Sequence, residues 1–552
     1  MTDSLQTDDC TIGNVFTFLK VEGMPADWPA DVFAVVASIL QRSGAYTLVV
    51  EHWPPDAHGR QKRIEWNQRM EGIGLAWRKT SAAGQAAPSE VHGWWQTVLA
   101  SSNTSLRSVA GNQALREALF QLCAVADEAS FGVGIPTQPA VPGPATDLYE
   151  LAANSNLIST GSLCQRVHSS RVRVLPKLHS PRSGMTLRSL THNLSLYSSQ
   201  DVIPEWRIFP GGPEESRGLN LLLLPWPLEV DPDQFKELKG PLANMPEKFG
   251  FFGYFPRTQM ADWIKKGKAA YEAAKLKVGT IHGVVLPELA LNQDEFRQLS
   301  SLYCGKRGSF VISGVGEPVD ELDSPKGYAK NYLRFEVPMG SRATGLGQQN
   351  KHHRWKLERN QILQYGCGAN LNHDREWWEY IGLRQRTVTF VSMNPWLTIV
   401  ALICEDLARQ DPVSEVIRTV GPNLVIALLM DGPQLSSRWS ARYATVFADD
   451  PGCSVLTLTS IGMALLSRPA GKPASRVVAL WKDALTSGPV EIELPDGADG
   501  IVLTLSNEFQ EEWAADGRTD GGTTGYPILA GVHPVFSASA DTRPTLSRGR
   551  PK

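Results

Sequence analysis

VALICEDLARQDPV (residues 400–413) carries an apolar run into Cys404 and then turns polar at once, with Glu405 and Asp406 next in line. A cysteine inside a core strand is ordinarily inert packing, because thiols are among the most buried groups in proteins. Here the thiol stands where the apolar run stops. In layered α/β proteins that position, the carboxyl end of a strand, is where sites are built.

The same pattern recurs outward from Cys404. Apolar runs at 219–228 (LNLLLLPWPL), 281–289 (IHGVVLPEL), 309–316, 332–338, 386–392, 398–404, 423–430, 454–460, 476–481 and 501–506 read as strands. Segments 259–276, 293–304 and 436–448 between them read as helices. Near-continuous apolar strands are those of sheets covered on both faces, and the intervening helices make the class α/β. No repeat of 20–50 residues is present.

With 552 residues the chain exceeds one ordinary domain. Its 42% hydrophobic and 20% charged content is that of a soluble globular protein, and a net charge of −3 favours no charged partner. The acidic start, MTDSLQTDDCTIGN, has no apolar core of a secretory signal, and no window approaches a membrane span. A cytoplasmic location is the expectation. Seven cysteines at 10, 123, 164, 304, 367, 404 and 453 form no CxxC pair and no zinc spacing, so they read as free thiols.

Four blocks are expected. Residues 1–131 read as a mainly helical N-terminal domain, with apolar positions recurring at three and four in DVFAVVASILQRS and NQALREALFQLCAVADEA. Residues 132–217 read as a linker and basic segment, opening on the Pro/Gly cluster GVGIPTQPAVPGPATD. Residues 218–513 form the α/β domain, and 514–552 a poorly ordered tail. Within the second block, 165–197 carries six Arg/Lys, three His and no acid. Arg171, Arg173, Lys177 and Arg182 could neutralise phosphates, while the interleaved apolar residues suit a packed interdomain face.

Three strand ends carry reactive groups: Glu288 closes VVLPE, Lys351 lies in the polar loop of QQNKHHRWKLERNQI (348–362), and Cys404 closes IVALIC. They lie 63 and 53 residues apart. As a unit they make chemical sense. A thiolate is the attacking species, a carboxylate within reach can take the thiol proton, and an ammonium can stabilise thiolate and oxyanion. Taken singly, each has a plainer reading: a packed core thiol, a solvated strand-end charge, a surface lysine. His352 and His353 lack Cys or acidic neighbours at ligand spacing, so no metal is expected, and the pathway needs no cofactor. The FADD of 447–450 ends a helical segment and has no polymerase elements around it.

At these residues the sequence resembles the carbon–nitrogen hydrolase (nitrilase) superfamily over roughly 218–510. VVLPELAL resembles its general-base segment, KNYLRFEVP (330–338, with Asn331) its following strand, NKHHRW its lysine motif, IVALICEDL its nucleophile strand and RWSARYATVFADDPGCSVLTLTSIG (438–462) the next helix and strand. The resemblance implies a four-layer αββα sandwich, a Glu288–Lys351–Cys404 triad, hydrolysis of an amide, carbamoyl or nitrile C–N bond through a thioester, and a homo-oligomer. For the family's second glutamate the nearest candidate is Glu358, and Lys356 rivals Lys351. The basic stretch ahead of such a domain resembles bacterial phage-defence proteins in which it accompanies a reverse transcriptase. That implies an alternative: a catalytically weak module that binds nucleic acid or a partner protein.

Overall fold

The computed structural model describes residues 10–21, 26–52, 59–134, 172–198, 201–209, 218–238, 246–255, 263–305, 308–317, 330–339, 343–383, 386–394, 396–409, 413–469 and 471–537. Helices come first: α1 (Ile12–Leu19), α2 (Pro29–Ser43), α3 (Gly59–Ala82), α4 (Ser89–Ala100) and α5 (Gln113–Ala129). Local chemistry sets their ends. Asn112 caps α5 by accepting the Leu115 N–H, and Gly44 closes α2 in the left-handed conformation that glycine adopts without steric cost.

Strands follow as β1 (Arg173–Pro176), β2 (Leu194–Tyr197), β3 (Val202–Ile208), β4 (Gly218–Leu223), β5 (Phe235–Glu237) and β6 (Phe249–Tyr254). Then come α6 (Trp263–Val278), β7 (Gly283–Leu291), α7 (Gln293–Ser300), β8 (Phe310–Glu317), β9 (Lys330–Met339), β10 (Ala343–Asn350), β11 (Lys356–Leu357), α8 (Arg359–Gln364) and β12 (Glu376–Glu379). The remainder is β13 (Arg386–Asn394), β14 (Leu397–Ile403), α9 (Glu405–Ala408), α10 (Glu415–Val420), β15 (Leu424–Leu429), α11 (Trp439–Asp449), β16 (Ser454–Thr459), α12 (Ile461–Leu466), β17 (Val477–Lys482), β18 (Val490–Glu493), β19 (Gly500–Gln510) and β20 (Thr524–Val535).

Two seven-stranded sheets result. One has the order β10-β9-β8-β7-β4-β19-β20 and the other β18-β17-β16-β15-β14-β13-β3. Each is parallel at its centre and antiparallel toward its edges, apart from the parallel β3–β13 pair. Alternation along the strands explains the packing. Leu219, Leu221 and Leu223 of β4 join the core shared with the second sheet, whereas Leu222 and the following Leu224 join the cluster containing Ala270, Tyr271 and Ala274 of α6. Gln349 stitches the two sheets, donating to the Ala401 carbonyl at 3.0 Å and accepting from the Thr389 N–H at 3.0 Å. A third, four-stranded sheet, β11-β12-β6-β5, stands beside them over an aromatic cluster. Among the described residues no helix is long and apolar enough to cross a membrane.

Two expectations need correction. The block 514–552 is not a tail throughout: β20 pairs with β19 along its whole length, and residues 538–552 lie outside the described residues. Asp520 forms the turn between them, accepting from the N–H groups of Glu512, Gly522 and Thr524. The block 132–217 contains folded structure as well: β3 is an edge strand, and β1 and β2 pair with each other. The expected linker at 135–147, with Arg171, lies outside the described residues.

The described cations of the basic stretch have partners within the protein, Lys177 buried and Arg182 exposed. Lys177 is buried and donates to the carbonyls of Arg188 and Thr191. Arg182 stacks on Tyr526 at 4.7 Å and donates to the Ala484 carbonyl. Arg188 reaches the Arg418 carbonyl and Asp450.

One consequence is acid sensitivity. Burial alone would raise the carboxyl pKa of Glu512, but the His179 ring, the Tyr526 hydroxyl and the Ser180 N–H hold it down at about 2. A carboxylate depressed on folding stabilises fully above its unfolded value, 4.5, and loses that contribution as pH falls toward 2. Glu512→Gln is expected to cost about 3 kcal/mol at pH 7. In urea unfolding at stepped pH, the gap between wild type and variant should close between pH 4.5 and 2.

Candidate functional site

β7 delivers Glu288 through a break in its pairing with β8, whose register jumps between Leu286 and Leu291. Leu289, inside the break, has a positive φ of 53°, and the chain can bend there because β8 supplies glycine opposite. A Cβ on Gly314 would fall 2.4 Å from the Glu288 Cα. Lys351 immediately follows β10, and its N–H donates to the Asn331 carbonyl at 3.0 Å. Cys404 follows β14 with φ 45° and ψ −108°, a region costly for a residue with a side chain. Its N–H donates to the Leu428 carbonyl at 2.9 Å, and α9 begins at the next residue. Leu289 and Cys404 are thus two of the few non-glycine residues with positive φ among those described.

Of the three predicted residues, Glu288 and Lys351 are in direct contact, and Cys404 lies within range of both charges. Lys351 Nζ lies 2.8 Å from Glu288 Oε1, and the charges of Glu288 and Lys351 both act on the Cys404 thiol. All three are buried, at 3%, 2% and 4% exposure for Glu288, Lys351 and Cys404. Asn331 Nδ2 adds a bond to Glu288 Oε1 at 2.7 Å, and the Met430 N–H fixes Oε2 at 2.7 Å.

A fourth residue, absent from the sequence reading, completes the cluster. Glu379, at the end of β12 in the small sheet, accepts from Lys351 Nζ at 2.7 Å, Asn331 Nδ2 at 2.8 Å and the Trp355 N–H at 3.0 Å. Glu379, and not the sequence candidate Glu358, contacts Lys351. Glu358 instead stands at the N-cap of α8, its N–H bonded to Gln361. Lys356 is also excluded, since it pairs with Glu376 on the surface. Period-two alternation could have found Glu379: along β12, Trp377 and Glu379 share the buried phase while Glu376 points outward.

The lysine loop and the cysteine turn are tied together. Asp406, fully buried, accepts the His352 N–H at 3.1 Å and His353 Nδ1 at 2.9 Å. The His352 ring lies 3.0 Å from the Thr387 carbonyl through Nε2.

The electrostatics suit proton transfer. Burial pushes the Cys404 thiol well up, the Glu288 carboxylate pushes it further and Lys351 opposes both, so the resting form is the thiol. Burial also raises Glu288; Lys351 offsets part of this and Glu379 adds to it. Burial would lower Lys351, but Glu288 and Glu379 more than reverse that and keep it a cation. A carboxylate of raised basicity, a thiol and a fixed ammonium therefore share one desolvated space.

No family model matches the chain, and no curated protein matches it. Among solved structures it is similar to an amidase of the nitrilase superfamily from Nesterenkonia AN1, at 11% identity and a TM-score of 0.30 over 53% of this chain and 93% of that one. It is also similar to Nit3 of Saccharomyces cerevisiae, a nitrilase-superfamily member, at 12% identity and 0.29 over 50% and 90%. A carbon–nitrogen hydrolase from Helicobacter pylori G27 gives 12% and 0.31 over 50% and 86%. At such levels the site has to be judged on its own geometry.

Proposed function

We propose that the protein is a cysteine-dependent carbon–nitrogen hydrolase whose two large sheets, flanked by helices, form the αββα sandwich of the nitrilase superfamily. The observation that carries this reading is the buried junction of Glu288, Lys351 and Glu379 beside a strained Cys404 at a strand's carboxyl end. Glu288 takes the thiol proton as sulfur attacks the amide carbon. Lys351, with two N–H bonds committed to carboxylates, has a third for the developing oxyanion. The C–N bond then breaks, and Glu288 returns the proton to the leaving amine. Water, deprotonated by the same carboxylate, hydrolyses the thioester and restores the thiol. Glu379 and Asn331 hold the lysine and the base in register.

An amide is favoured over a nitrile as substrate. The test is to incubate wild type and Cys404→Ala with an amide and nitrile panel, reading released ammonia and, by intact mass, acyl groups trapped on the protein. Ammonia release with an acyl adduct mapped to Cys404, both lost in the variant, is the expected result. Turnover that survives Cys404→Ala would refute the assignment. So would a Cys404 no more reactive than the other thiols.

A further inference from the structure

Each carboxylate oxygen of Glu288 and Glu379 has a donor. Glu288 Oε1 accepts from Lys351 Nζ at 2.8 Å and Asn331 Nδ2 at 2.7 Å, and Oε2 from the Met430 N–H at 2.7 Å. Glu379 Oε1 accepts from Asn331 Nδ2 at 2.8 Å, and Oε2 from Lys351 Nζ at 2.7 Å and the Trp355 N–H at 3.0 Å. Two hydrogen-bonding positions are left over. Lys351 commits two of its three N–H donors, so one remains. Asn331 commits both of its N–H donors, and its buried Oδ1 has no hydrogen-bond partner among the described residues.

That oxygen is held where it is. Asn331 is 5% exposed, and a buried acceptor that gains no donor has lost its hydration for nothing. A carboxamide keeps its oxygen and both N–H groups in one plane, so Oδ1 cannot turn toward another donor without breaking the bonds to Glu288 and Glu379. The backbone is fixed as well: Asn331 lies in β9 opposite Gly316 of β8, and its carbonyl accepts the Lys351 N–H at 3.0 Å. Bridging two carboxylates calls only for donors. An arginine would supply them and leave no acceptor unpaired.

We infer that Asn331 Oδ1 sets specificity by receiving an N–H of the amide substrate while Lys351 receives its oxygen. One spare donor and one spare acceptor, both anchored on the same two carboxylates, are the complement of an amide, whose oxygen accepts and whose nitrogen donates. When the C–N bond breaks, Glu288 gives its proton to that nitrogen. An acceptor on the N–H keeps the nitrogen lone pair turned toward the acid, and the N–H itself stays on the departing amine. An ester places an oxygen where Oδ1 needs a donor, and a site built to pair an N–H discriminates against a substrate that lacks one. Primary and secondary amides are therefore the substrate class, with esters, tertiary amides and nitriles disfavoured. This inference rests on the hydrolase reading, and its test is separable because it reads binding alone.

Isothermal titration of Cys404→Ala compares N-methylbutyramide with methyl butyrate, probes of one shape that differ in N–H against oxygen. The amide is expected to bind about 10-fold more tightly, the size of one buried neutral hydrogen bond. An amide is the harder of the two to take out of water, so without the acceptor the ester is favoured. In Cys404→Ala/Asn331→Ala the preference should fall to one or below. Asn331→Ser, whose side chain is one bond shorter, should lose it too and decides the matter if Asn331→Ala does not fold. Cys404→Ala/Glu379→Gln disturbs the same cluster and keeps Oδ1, so there the preference should survive. Neither probe binding, a ratio of one or below with Asn331 present, an unaltered ratio in a folded Asn331 variant, or equal loss in the Glu379 variant overturns the proposal. Failure of the hydrolase reading would show differently, as amide-selective binding with no acyl adduct on Cys404 in the wild type.

Discussion

Lys351→Met is expected to abolish amide turnover and to lower folding stability by about 3–5 kcal/mol, the cost of removing one partner from a buried ionic cluster. Glu288 and Glu379 would then face each other across the vacated position with Asn331 as their shared donor. Two buried carboxylates in contact cannot both remain charged, so one must take up a proton. The sign of the pH effect follows. The folded variant binds more protons than its unfolded chain at neutral pH, so its stability should rise as pH falls toward 5, opposite to the trend from Glu512. Adding Glu379→Gln should recover part of the lost stability and none of the activity, since the amide removes the repulsion without restoring a cation. Urea midpoints of the single and double variants at pH 5 and 8, with ammonia release alongside, check each part. Lys356→Met, which removes an exposed cation from a surface pair, should leave both stability and activity where they were. A Lys351→Met protein as stable as wild type at pH 8 would mean that the ammonium does not bind the carboxylates together.

What could be read from the letters depended on how locally each position is determined. Glu288 and Cys404 were visible because each closes an apolar run in the sequence, and Lys351 because its loop follows one; in the structure Cys404 and Lys351 stand just beyond strands, while Glu288 sits inside β7 at the break in its pairing. Alternation along EWWE marks Glu379 as inward-facing, but what it faces is set by the parallel pairing of β12 with β6, a contact between segments more than 120 residues apart that the letters do not encode. The spacing argument chose Glu358 instead, but a glutamate followed three residues later by Gln361 is also a capping pair, and the structure uses it that way. The C-terminal strand was lost for a related reason. β20 is an edge strand, so its residues are largely half-buried and its apolar alternation is weak, while the Gly- and Asp-rich turn before it has the composition of disorder. Likewise, the backbone carbonyls that accept from the cations of 172–198 lie in segments far along the chain or across a turn, so the letters do not show them.

Arg518→Met is expected to cost about 3–5 kcal/mol and to loosen the helical layer before the Glu288–Lys351 cluster. Arg518 is 2% exposed and gathers Asp127 at 3.0 Å, Asp516 at 2.8 Å, Glu128 and the Leu190 carbonyl at 2.7 Å. Asp127 also accepts the N–H groups of His192, Asn193 and Leu194, at 2.8, 2.7 and 2.9 Å. Helix α5, the basic stretch and the turn before β20 therefore meet on one guanidinium, and Glu512 fastens the same turn to His179 and Ser180. Blocks that look separable in the sequence are joined by charges that methionine cannot replace. Three carboxylates would be left around a neutral side chain. Hydrogen exchange should show faster opening of α5 and residues 187–197, with β7 and β14 still protected. Amide turnover below the melting temperature should persist, because none of these groups touches Glu288, Lys351 or Cys404. If β14 and α5 instead lose protection together, the junction holds the whole molecule rather than its helical layer, and the site should fail with it.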